Sequence, residues 1–96
     1  MANSLADQLG WCITTKDYLN NLNAEMLYVA KQYANMVEQL KATGYMKDLL
    51  PMILDLNQEF EKEIQDIIRY IEGEHISYIQ KQADAVSGEI NKLMNL

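Results

Sequence analysis

The chain has 96 residues, 14 acidic against 8 basic, and a formal net charge of −6. A single domain of this size buries only a modest part of its unfolded surface, so self-association or a partner is expected. The negative field disfavours nucleic acid and anionic membrane as partners, no apolar run is long enough to span a bilayer, and a lone Cys12 excludes an internal disulfide. Leu, Ile and Met dominate the apolar residues while Val and Phe are sparse, a helix-forming bias that points to an all-α fold.

Ser4 and Asp7 stand in capping-box spacing at the start of a helix in which Leu5, Leu9 and Cys12 share a face. Gly10 and the run Ile13-Thr14-Thr15 weaken it. A break near Thr14 would leave a short N-terminal helix. From Thr15 to Thr43, Leu19, Leu22, Met26, Val29, Tyr33, Met36 and Leu40 alternate steps of three and four, as in a coiled-coil seam. Leu27, Ala30, Ala34 and Val37 widen that seam, so the helix offers a face broad enough for two neighbours.

Lys41 complements the dipole of the last turn, and Gly44 stands where a left-handed cap is expected. Asp48 can cap the next helix, with Pro51 in its first turn. The expected architecture is one helical domain over 1–96: a helix over 4–43, a turn over 44–47 and a helix over 48–94, folded as an antiparallel hairpin. Dimerisation would complete a four-helix bundle.

In the second helix Ile53, Leu56, Phe60, Ile64, Ile67, Ile71, His75, Ile79, Ala83, Val86, Ile90 and Leu93 continue the steps. Consecutive steps of four between Ile71 and Ala83 bring the mean period near that of a straight helix. Gly73 and Gly88 are its weak points, and a break at Gly73 would give the alternative, a three-helix bundle.

Glu72 and His75 have the Glu-x-x-His spacing of di-metal bundles, which also need carboxylates from facing helices, such as Glu25 or Glu38. Folding about residue 45 sets Lys16 and Asp17 opposite His75 instead, so His75 is read as a polar seam residue. No metal and no cofactor is expected. Asp55, Glu59, Glu61, Glu63, Asp66, Glu72 and Glu74 read as a solvated helix face, or as an acidic surface meeting a basic partner. Cys12 reads as a small buried hydrophobe. Trp11 and the tyrosines read as packing residues, with Tyr18 and Tyr28 suited to a partly wet interface.

The richest candidate interface is the cluster Leu49, Leu50, Met52, Ile53, Leu54 and Leu56, continued by Phe60 and Ile64. It is apolar nearly all round a helix, and one facing helix covers only one side of it.

Two long helices, a turn near mid-chain and acidic charge resemble the W-x-G family of small type VII secretion proteins. The turn reads Thr43-Gly44-Tyr45, which keeps a glycine beside an aromatic, and Tyr70 to Glu74 has the aromatic-x-x-x-acid spacing of the family's export signal. The resemblance implies a non-enzymatic interaction module, a homodimer or a heterodimer with another helical protein, that is a secretion substrate or the targeting partner of a larger secreted effector. It would reside in the cytoplasm or be exported without a cleavable signal peptide. A different class stays open: an acidic cytosolic inhibitor, immunity protein or chaperone, carried by a mobile element in one version.

Overall fold

The computed structural model describes residues 4–95. The described chain is all-helical. Helix α1 runs over Leu5–Thr43, α2 over Leu50–Tyr70 and α3 over Ser77–Met94, and a π-helical segment, Ile71–Ile76, joins α2 to α3 without a turn. Among the described residues there are two helices in the sense of the chain path, so the three-helix alternative does not hold. Residues 4–22 and 70–95 form one compact unit, and Asn23–Arg69 form the other.

Ser4 caps α1. Its Oγ accepts the Asp7 amide at 3.1 Å and its carbonyl accepts the Gln8 amide at 3.0 Å. The helix passes Gly10 and Thr14 without interruption. In this first unit Cys12, Ile79 and Ala83 are buried together, with Leu9 and Leu19 packed against them. That apolar contact outweighs the weak local propensity of Ile13 and Thr14, both of which face solvent.

The second unit is a helical hairpin, built from the end of α1, a turn and α2. Gly44 takes the left-handed cap conformation at φ 73°, and Met46 follows at φ 57°. The Met46 carbonyl then accepts the amides of Leu49 and Leu50, each at 3.0 Å. The turn therefore extends to Leu49, and α2 starts on backbone acceptors two residues after the expected cap at Asp48. Across the hairpin the rings of Tyr33 and Phe60 lie 5.4 Å apart.

The buried seam is rotated by about one residue from the one that apolar spacing suggests. Asn23, Ala30 and Val37 are buried, whereas Val29 and Met36 are 53 % and 65 % exposed. The same shift recurs in α2, where Asn57 and Ile68 are half-buried while Leu56 and Ile67 face solvent. At each step the buried set Asn23, Ala30 and Val37 is smaller than Leu22, Val29 and Met36, and smaller side chains suit the line of contact between two helices. Counted this way, Leu5, Leu9, Cys12, Lys16, Leu19, Asn23, Met26, Ala30, Tyr33, Val37 and Leu40 alternate steps of three and four without a break, and all are buried or half-buried.

The π-helical segment makes the matching adjustment in the second helix. A wider turn holds one extra residue, so the covered positions step from half-buried Ile71 to half-buried Ile76 and on to buried Ile79. His75 is left in solvent, with its ring edge-on to Tyr70 at 5.2 Å. It is not a seam residue.

Candidate functional site

The expected interface cluster separates into two sets. Leu50, Ile53, Leu54, Phe60 and Ile64 are half-buried on the side of α2 that turns toward α1. Leu49, Met52 and Leu56 stay exposed, at 47 %, 62 % and 51 %. The cause is geometric: in a two-helix unit each helix has one neighbour, and one neighbour covers one stripe. No residue of α2 is fully buried.

A groove of about 240 Å³ runs along one side of this hairpin, lined by Leu27, Ala30 and Lys31 of α1 and by Glu61, Ile64 and Gln65 of α2 among others. Leu27, Gln65, Ile68 and Arg69 line a second recess of about 260 Å³. The walls of both are apolar, with amide or charged tips at the rim. Arg69 is engaged with Asp66 at 2.7 Å, so its guanidinium is already held by a carboxylate of its own helix.

Two polar side chains that apolar periodicity does not single out lie inside the hairpin. Asn23 is 6 % exposed and neither its Oδ1 nor its Nδ2 has a hydrogen-bond partner among the described residues; the Nδ2 of Asn57 is in the same position. A buried amide left unpaired is costly. The unbroken three-four alternation through Lys16, Asn23 and Ala30 is the signal that places Asn23 in the seam.

In the first unit a cleft of about 430 Å³ is lined by Asp7, Gln8, Trp11, Cys12, Tyr78, Gln82 and Val86. Trp11 and Tyr78 are exposed and Cys12 lies buried beside them. Lys16 donates a hydrogen bond to Oε1 of Gln80. The pairing register is thus displaced from the expected opposition of Lys16 and His75, because the turn is longer and the π-helical segment holds an extra residue. Glu72 and His75 are both exposed. Among the described residues no three His, Cys, Asp or Glu side chains are grouped so as to hold a metal ion, and no helix is long and apolar enough to cross a membrane.

The acidic residues Asp55, Glu59, Glu61, Glu63, Asp66, Glu72 and Glu74 are all exposed. Apart from Glu61, which lines the hairpin groove, they read as a charged outer face, relieved by the pair of Arg69 with Asp66. No family model, no curated protein and no solved structure matches the chain.

Proposed function

We propose that the protein is a non-enzymatic helical interaction module that completes its core by pairing with a second helical chain, a copy of itself or another protein, to form a four-helix bundle. The observation that carries this reading is the state of α2: a helix with Leu50, Met52, Ile53, Leu54 and Leu56 in its first two turns, preceded by an exposed Leu49, has no fully buried residue. The chain's accessible surface is 7538 Å², whereas a folded monomer of its mass exposes about 5,700 Å². The difference, about 1,900 Å², is the excess of a helical chain without a complete core.

In this reading Met52 and Leu56 are interface residues, while Leu50 and Ile53 serve the hairpin itself. The pairing would serve secretion, as a W-x-G-like substrate or as the targeting partner of a larger effector. Co-expression with the genes adjoining its own, followed by native mass analysis, tests it. A complex that is lost in Met52→Glu and Leu56→Glu, with helicity retained, is the expected result. A monomer that unfolds cooperatively by itself and captures no helical protein would overturn the reading.

The exposed acidic run favours a second reading, an acidic inhibitor, immunity protein or chaperone seated on a basic target. Strong weakening of the captured complex by salt, with little effect of Leu56→Glu, would select it.

A further inference from the structure

The groove of the Asn23–Arg69 hairpin fixes which flanks of its two helices share a surface. Leu27 and Ala34 lie on one side of the buried seam of α1, Val29 and Met36 on the other; Glu61 and Gln65 lie on one side of the seam of α2, Leu49, Leu56 and Ile67 on the other. Leu27 and Ala34 line one groove together with Glu61 and Gln65. The remaining flanks, Val29 and Met36 with Leu49, Leu56 and Ile67, must therefore share the reverse surface. All five are exposed.

Along the helical stripes beside that reverse surface the charges have one sign. Steps of seven along α1 from Val29, and along the neighbouring stripe, give Met36 and Thr43, then Glu25, Gln32 and Gln39. The same steps, counted from Leu49 just before α2, give Leu56 and Glu63, then Met52, Glu59 and Asp66. None of these helical positions holds Lys or Arg: Lys31, Lys41, Lys62 and Arg69 fall on other stripes and Lys47 belongs to the turn, and Asp66 already has Arg69. The frame is Glu25, Glu59 and Glu63.

A second copy is a poor occupant for such a face. It would bring a frame of the same sign and add a further net charge of −6, and like charges across an interface act against pairing. We infer that this face receives an amphipathic helix of another protein, one whose apolar stripe is flanked by Lys or Arg. The inference rests on the pairing reading and narrows it to a heteromeric, basic-flanked partner on one named surface.

Two synthetic helical peptides with the same leucine stripe, one flanked by Lys and the other by Glu, serve as probes against the full chain in titration calorimetry. The Lys-flanked peptide is expected to bind one to one, and the Glu-flanked peptide at least about 100-fold more weakly. The charge-neutral double substitution Met36→Ser with Leu56→Ser should weaken the Lys-flanked peptide at least about tenfold while circular dichroism shows the helices intact. Glu59→Gln with Glu63→Gln should weaken it as well, and flatten its salt dependence. Equal binding of the Lys-flanked peptide to the serine double variant would overturn the inference, because attraction would then be charge alone. A wild-type dimer that falls to a monomer in the serine variant would also overturn it, by putting a second copy on the face, and would leave the pairing reading standing. Binding of neither peptide would overturn it too, and the pairing reading would then be judged by the co-expression experiment alone.

Discussion

Replacing Asn23 by leucine should stabilise the protein. Asn23 is 6 % exposed, and neither end of its amide has a partner among the described residues. Leaving a buried polar group unpaired costs about 1–3 kcal/mol, and a buried leucine in its place contributes about 1.5–3 kcal/mol of apolar burial. The opposing term is overpacking, about 1–3 kcal/mol where a core is tight. Here it should be small, since among the described residues no large side chain is less than 2 % exposed, and the added methyl groups can displace their neighbours outward. With about 1 kcal/mol for that cost, a net gain of about 1.5–5 kcal/mol follows, and for a domain of this length the melting temperature rises by roughly 4–8 °C per kcal/mol. Thermal unfolding followed by circular dichroism, at one fixed protein concentration, measures it. Asn57→Leu should gain less, because Asn57 is half-buried and of its amide only Nδ2 is both buried and unpaired. A single polar residue in such a seam often fixes register and stoichiometry, so Asn23→Leu should also broaden the distribution of assemblies seen by native mass analysis. A loss of stability of about 1 kcal/mol or more would refute the reasoning, since it would mean the amide is satisfied in the folded protein.

Other substitutions probe the turn, the second helix and the first unit. Gly44→Ala forces a side chain into φ 73° and should cost about 1 kcal/mol in denaturant unfolding; an unchanged midpoint would mean that the turn is not left-handed there. Gly73→Ala meets open space and needs no positive φ, so it should add about 0.5–1 kcal/mol, and a destabilised variant would contradict the helical path through the π segment. The Cys12 thiol, 5 % exposed, should react with a thiol reagent slowly in the native protein and at once in denaturant. Immediate, complete labelling of the native protein would remove Cys12 from the packing of the first unit.

Helix content, the two long segments and the mid-chain reversal are legible because apolar periodicity and Gly44 are strong local signals. The choice of stripe is not. Leu22, Val29 and Met36 outweigh Asn23, Ala30 and Val37 in hydrophobicity, so a reading by apolar side chains selects them. Close backbone approach rewards the smaller set instead, and only the unbroken alternation from Leu5 to Leu40 betrays it. The length of the turn was equally hidden, because Asp48 followed by Pro51 imitates a helix start, while Met46, a residue with no turn preference, takes the left-handed conformation. His75 looked like a seam residue because a regular helix puts it there; the π-helical segment replaces it by Ile76. The interface cluster was visible as composition, but which of its members face away from α1 depends on the one-residue rotation.

That rotation also sets the driving force available for pairing. Covering Val29, Met36, Leu49, Leu56 and Ile67, each about half exposed, would contribute about 4–8 kcal/mol gross at about 1.5–3 kcal/mol per fully buried side chain. Association costs of similar size oppose it, so on the proposed reading a complementary frame of charge on the partner would tip the balance.

The most direct measurement is the native mass of the protein purified after co-expression with the genes adjoining its own. The account predicts a defined complex with another helical chain, lost in Met52→Glu and Leu56→Glu while the hairpin stays folded. A monomer that is stable alone, captures no helical chain and is indifferent to both substitutions would contradict it.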